Sequence, residues 1–273
     1  MSAVLIIAGK EIRDGLRNRW VIAATLLLGV LALALAFLGS APTGTVGASR
    51  LAITVVSLSS LSIFLLPLIA LLLSYEALVG EVERGTMLLL LAYPVARWQV
   101  VLGKFLGHVA ILAFATVIGY GVAGLVAGKG ADAEAWRALG TMVGSSMLLG
   151  AIFVALGYLI SVVVRDRGTA GGIAVSVWLV FVVLYDMALL GALVADEGQI
   201  ITTDLFAALM LFNPTDLYRM FNLSGSGAVA TMSGMVGLAG QAGFGGTVVL
   251  SAMVAWIVVP LTVAGALFRR REL

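Results

Sequence analysis

Six apolar runs, each long enough to cross a hydrocarbon layer about 30 Å thick, constrain this chain more than any other feature of its sequence. They extend over Trp20 to Gly39, Leu51 to Tyr75, Val101 to Gly128, Leu139 to Val164, Gly168 to Val194 and Thr247 to Phe268, with charged residues gathered between them. Only 11% of the residues are charged, less than half of the share usual in soluble domains. A bilayer offers no water to satisfy backbone amides, so each run is expected to be a helix. A membrane barrel would instead show strands of about ten residues with alternating polarity, and no such alternation occurs. The expected fold is therefore all-α, with six membrane spans over residues 1–273 as one domain. Cysteine is absent, which excludes disulfides and thiolate metal sites.

The cations divide unevenly between the two sides of this arrangement. Twelve of the sixteen Lys and Arg, against seven of the fourteen acids, fall on the side of both chain ends, leaving Arg50, Lys129, Arg137 and Arg219 opposite. The positive-inside rule then predicts cytoplasmic termini. Because this basic charge alternates with membrane spans, no nucleic-acid surface is expected. The basic start, the first run and the small residues Gly39, Ser40 and Ala41 imitate a signal peptide. That run of about 20 residues exceeds a usual signal core, so it is expected to persist as a span.

Before it, Leu5, Ala8, Ile12 and Leu16 recur at helical spacing, with Lys10, Glu11, Arg13, Asp14 and Arg17 on the remaining arc and Trp20 at an interfacial position. The pattern predicts an amphipathic helix over residues 1–19 lying on the membrane surface, although a basic flank that only orients the first span would have the same composition.

Between the second and third runs, residues 76–100 form a polar-flanked island. Glu83, Arg84, Gly85 and Thr86 open it, Leu88 to Leu91 supply an apolar knob, and Pro94, Arg97 and then Gly103 with Lys104 close it. Thr86 is placed to cap a short helix beginning at Met87, and Glu81 and Arg84 are three apart, the spacing of a helical ion pair. A short helix with an apolar knob suits a partner's groove; leucines packed back onto the bundle would be the plainer outcome. The turn Arg165, Asp166, Arg167 and Gly168 is a candidate minor contact on the same side.

The ERGT, YPVAR and GK elements of this island, the six spans, the leading amphipathic helix and the NPTDLYR run from Asn213 to Arg219 together resemble ABC-2 type permeases along essentially the whole chain. The resemblance implies a type V ABC exporter-like fold, an N-terminal elbow helix, and a cytosolic loop that couples to an ATPase through Glu81, Glu83, Arg84, Gly85, Thr86, Leu88, Pro94, Arg97 and Lys104. The Gly-rich segment and LFNPTDLYRMFNLSGSG, Leu211 to Gly227, resemble more closely the members that serve nitrous oxide reductase maturation. That likeness implies a homodimer in the bacterial inner membrane, a NosF-like cytosolic ATPase holding ATP and magnesium, and a NosD-like periplasmic partner. It also implies a part in assembling the copper–sulfur centre of a denitrification enzyme. Cargo stays open between a sulfur species, copper, and mechanical transmission alone.

The chain lacks a nucleotide loop of its own. Gly124 to Gly130 (GLVAGKG) has one residue too few between its glycines and no hydroxyl after Lys129. Gly119, Gly121 and Gly124 spell GxGxxG inside a membrane run, where close helix packing accounts for it. His108 is the sole histidine and has no carboxylate in local register, so packing is expected rather than catalysis. Met210, Met220, Met232 and Met235 lie toward the external side; their thioethers suit Cu(I), and equally suit gap-filling.

Residues 195–246 form a long external segment. Asp196, Glu197, Asp204, Asp216, Tyr218 and Arg219 make a polar patch there, and Asn213, Pro214, Asp216, Tyr218 and Arg219 are the candidates for docking a periplasmic partner. Asn213 and Pro214 are expected to begin a helix. Asp186 is the best candidate for an ionisable residue on a path, placed near the external boundary, with no buried ion pair evident. Thr54, Ser57, Ser59, Ser60 and Ser62, with Ser145 and Ser146, line either a narrow route or a packed seam. Other readings are an exporter of a lipid or hydrophobic small molecule, a scaffold without transport, and an ion-coupled secondary transporter, which should show repeats and broken helices that are not evident.

Overall fold

A computed structural model describes residues 2–38, 50–196, 202–223 and 245–271. Glu197, Met232, Met235 and almost all of the Ser224–Gly246 stretch lie outside them, as do Gly39, Ser40, Ala41 and the side chain of Trp20.

All regular secondary structure among the described residues is helical, as six apolar runs without β alternation require. Helix α1 (Ala3–Leu16) bends by 68° into α2 (Arg19–Leu38), and α3 (Arg50–Ser74) follows. Two short helices, α4 (Val79–Glu83) and α5 (Thr86–Leu91), precede the long α6 (Arg97–Ala127) and α7 (Ala133–Val163). The fifth run is α8 (Arg167–Leu179), a π segment (Val180–Leu184) and α9 (Tyr185–Asp196). Then come α10 (Thr203–Met210), α11 (Pro214–Leu223) and α12 (Gly246–Arg270). Among the described residues five helices are long and apolar enough to cross a membrane, six if α1 and α2 count as one bent span. The chain is thus an all-α, multi-pass membrane protein.

Helix α7 is the axis of the bundle. It packs against α3, α6, α11 and α12, and 78% of its most apolar 18 residues are buried, against 17% for the α8–α9 span. Small residues set that position: a Cβ on Gly157 would lie 2.0 Å from Ser74 Oγ, and one on Gly150 2.3 Å from a Leu112 methyl. Between α2 and α6, a Cβ on Gly119 would lie 3.4 Å from the backbone nitrogen of Gly29. Gly119 of the GxGxxG pattern is therefore a packing glycine, and Gly124 packs likewise under Leu139, while Gly121 has open space around it.

Helix α1 lies against α6 in the same way. Would-be Cβ atoms on Gly103 and Gly107 meet Ile7 Cβ at 2.8 Å and Glu11 Cβ at 2.5 Å. The face of α1 differs from its sequence pattern. Ile7 and Ala8 are buried and Glu11, assigned to the polar arc, turns into the bundle, whereas Leu5, Ile6 and Leu16 are exposed. Lys104 on α6 supplies the reason, since it draws the Glu11 carboxylate inward.

Candidate functional site

The end of the bundle that carries most of the cations, here the basic end, is closed by a ring of polar contacts between helices far apart in sequence. The ring begins at α4. Its first amides, Leu78 N–H and Val79 N–H, have no carbonyl one turn earlier in the helix to receive them. Both donate to the buried Oγ of Ser161 on α7, each at 3.0 Å. The last carbonyls of α7 are in turn capped by Arg271, whose guanidinium donates to Ser161 O at 3.2 Å, Val162 O at 2.8 Å and Val164 O at 2.8 Å. At the end of α12, Arg97 Nη1 donates to Phe268 O at 2.9 Å and Arg271 O at 2.6 Å, with its guanidinium carbon 5.7 Å from the centre of the Phe268 ring. Both arginines use the same physics, a cation on the negative end of a helix dipole.

From α6 the ring returns to α4 through Lys104. Its ammonium lies 2.6 Å from Glu11 on α1 and 2.7 Å from Glu81 on α4, and its side chain is only 4% exposed. A buried ammonium is tolerated because two carboxylates receive it. Outside this triad, Arg167 on α8 meets Glu83 with its Nε at 2.5 Å and its backbone N–H at 3.0 Å, in a half-exposed pair.

Several expectations change here. Glu81 pairs with Lys104 rather than with Arg84. Thr86 is the first residue of α5 and does not cap it. Its hydroxyl donates back to Glu81 O at 3.2 Å, while Gly85 holds the cap position at φ 72°. That left-handed turn is one that only glycine adopts without strain. Arg97 and Lys104 are interior fasteners, and Glu83 is held by Arg167. The outward face belongs to Leu88, Leu89 and Tyr93, at 58%, 69% and 70% exposure, with Pro94 and Arg84 also exposed, while Met87 anchors α5 from below, fully buried.

At the opposite end, Asn213 caps α11 as expected, accepting from Thr215 N–H at 3.1 Å. The Thr215 hydroxyl donates to Phe181 O, a carbonyl in the π segment, at 3.1 Å, which docks α11 against the irregular turn of the fifth span. Arg219 Nη1 bridges Asp186 at 2.5 Å and Asp216 at 2.8 Å. Local spacing carries no sign of the Asp186–Arg219 pair, because the two residues come from different segments. Asn213 Nδ2 also donates to Asp216 Oδ2 at 2.9 Å. Burial, and then the adjacent Asp186 charge, push the Asp216 carboxyl above its ordinary value, against the pull of Arg219 and Asn213.

The proposed docking residues therefore do not form a surface: Asn213, Pro214, Asp216 and Tyr218 are buried and Arg219 nearly so. Helices α3, α7 and α12 pack around α11.

Of the serines, Ser62, Ser145 and Ser146 form a packed seam, while Ser60 is exposed and donates to Val56 O on its own helix. Ser62 Oγ lies 2.8 Å from Tyr120 Oη, Ser146 Oγ 3.0 Å from Tyr218 Oη, and Ser145 donates to Asn222 at 3.0 Å. These hydroxyls serve one another across α3, α6, α7 and α11. His108 is buried, its Nδ1 2.7 Å from Tyr158 Oη, and Glu11 approaches its Nε2 to 3.9 Å from α1, a carboxylate that local register could not reveal. Among the described residues no group of three or more His, Cys, Asp or Glu is placed to hold a metal, and Met210 and Met220 are buried as packing.

Residues 5–273 match the family model described as ABC-2 family transporter protein. The chain belongs to the ABC-2 transporter family. It is 47% identical over 277 residues to the probable ABC transporter permease protein NosY of Pseudomonas aeruginosa, with all of both chains covered. To the protein of the same description from Stutzerimonas stutzeri it is 45% identical over 276 residues, covering 99% of each. It is a permease component of an ABC-2 transporter, related to NosY over its whole length.

Proposed function

We propose that this ABC-2 permease is a homodimeric inner-membrane subunit with cytoplasmic termini. On this reading a separate NosF-like ATPase, which holds ATP and magnesium, drives it in support of copper–sulfur centre assembly in a periplasmic nitrous oxide reductase, alongside a NosD-like protein. The observation that carries the reading is the polar ring. It ties α4 to α1, α6, α7 and α8, while the adjoining α5 presents Leu88, Leu89 and Tyr93 outward. An apolar helical knob on a cross-linked base has the form of a part that is pushed by a partner. The similarity to proteins named NosY supports the biological setting.

ATPase closure would press on α5, and Glu81, Glu83 and the Leu78 and Val79 amides would carry the displacement into four helices. Whether a sulfur species or copper then crosses, or only motion reaches the periplasmic partner, the serine seam favours motion, because its hydroxyls are paired with one another inside the bundle. The amphipathic α1, bent by 68° from α2, acts in this scheme as an elbow helix at the membrane surface.

Copurification tests the reading. The tagged chain should retain an ATPase that a Leu88→Asp, Leu89→Asp variant loses, although the variant migrates as the same folded species. Retention of the ATPase by the variant would remove α5 as the contact.

A further inference from the structure

We propose that the cleft between the first turns of α6 and the last turns of α12 is a binding site for one anionic phospholipid. The cleft has a volume of about 370 Å³ and is lined by Trp98, Val101 and Leu102 on one side and Thr262, Gly265 and Arg269 on the other, with Leu261 and Ala266 completing it. The spacing explains its shape. Trp98, Val101 and Leu102 are an i, i+3, i+4 set on α6, and Thr262, Gly265, Ala266 and Arg269 are the matching stripe on α12. A Cβ on Gly265 would meet nothing within 4 Å, so the small residues of α12 leave a trough and do not serve to press two helices together.

The two ends of the trough differ in chemistry. From Leu261 to Arg269 it runs along about 12 Å of helix, apolar for most of that length. At its basic end stands Arg269, exposed, and among the described residues no carboxylate lies within ion-pair distance of its guanidinium. Arg270 is exposed beside it, while Arg97 and Arg271 already cap helix ends. Trp98, partly exposed, has the amphipathic ring that sits at headgroup depth. An apolar trough at membrane depth, topped by a guanidinium without a carboxylate partner among the described residues and flanked by an indole, matches an acyl chain with a phosphate above it. A soluble anion would leave the trough unfilled, and a zwitterionic lipid would place no net negative charge on Arg269.

Because Arg97 joins the ring contacts immediately beside the cleft, a lipid there would brace the junction of α6 and α12. This does not depend on what the transporter moves.

Brominated lipids test the site, because Trp98 forms its wall. The full chain, with its ATPase partner where one copurifies, is placed in nanodiscs containing a minor fraction of brominated phosphatidylglycerol or brominated phosphatidylcholine. The Trp98 signal is isolated by difference against Trp98→Phe. Phosphatidylglycerol should quench Trp98 with about fivefold tighter apparent affinity than phosphatidylcholine, the preference expected from one surface cation. Arg269→Gln, an exposed change that leaves the fold intact, should bring the two lipids together, and Gly265→Leu should weaken quenching by both. Equal quenching by both lipids in the unmodified chain would overturn the site, as would Gly265→Leu leaving the quenching unchanged. So would a change in oligomeric mass in either variant, which would make the cleft a contact between two copies of the chain.

Discussion

Among the described residues each end of the bundle contains one largely buried cation held between two carboxylates, and the two triads do opposite things. At the basic end Lys104 joins Glu11 of α1 to Glu81 of α4, so three separate helices meet at one ammonium. At the other end Arg219 reaches Asp216 three residues away on its own helix and Asp186 on α9, so two elements meet. Lys is a compact point charge that accepts partners from any direction, whereas the planar guanidinium of Arg fixes the geometry of a local bridge. The first triad fastens a segment that stands out from the bundle. The second buries a helix within it. The same charge pattern thus fastens a projecting segment at one end and anchors an enclosed helix at the other.

The largest test of this contrast is Lys104→Met, which leaves Glu11 and Glu81 without their cation. Breaking a buried pair from one side costs about 3–5 kcal/mol, so thermal unfolding in detergent should shift well downward. Stimulation of the partner ATPase by the permease should fall about tenfold or more. If coupling survives at full strength, α4 does not act through this triad.

Arg219→Leu should cost less, about 1–3 kcal/mol, because one of the two acids left behind can take up a proton. The loss should be partly recovered on acidification, and ATPase coupling should stay near normal. Unmodified chain carries a related signature. Asp216 has its folded value raised, so the folded state holds more protons than the unfolded state between the ordinary aspartate value and the raised one. Stability therefore falls as pH rises through that interval, and Asp216→Asn should flatten this dependence in a pH series of melting curves.

The smallest effect is expected from Arg167→Gln. Its pair with Glu83 is half exposed, and such pairs contribute under about 1 kcal/mol. Melting should scarcely change, and a large loss of stability would show that α8 depends on this contact more than its exposure implies.

What was legible in the sequence follows from what is local. The spans, the break at residues 76–100 and the Asn213 cap all rest on neighbours within a few positions. The ring was not legible, because its partners are distant. Ser161 serves amides 83 and 82 positions earlier, and Lys104 meets Glu11 at a separation of 93. A charged residue beside a membrane run looks the same whether it will point to a partner or into the bundle. Arg97 and Lys104 read as part of a docking loop for that reason. The burial of Asp216 and Tyr218 was hidden in the same way, since the polar run Asn213 to Arg219 becomes interior only once α3, α7 and α12 enclose it. Glycines gave the best hint available: Gly103 and Gly107, one turn apart, mark where α1 lies against α6.

Arg271 adds a matter of timing. It caps the carbonyls of α7 from 110 positions downstream of Ser161. At synthesis rates of about 5–20 residues per second, α7 waits roughly 5–20 seconds for its cap, long after α4 and α6 have left the ribosome. Until then the junction of α4 with α7 lacks one of its fastenings. The basic end is therefore completed last, and a chain whose final helix is misplaced would leave the base of α4 and α5 unfinished.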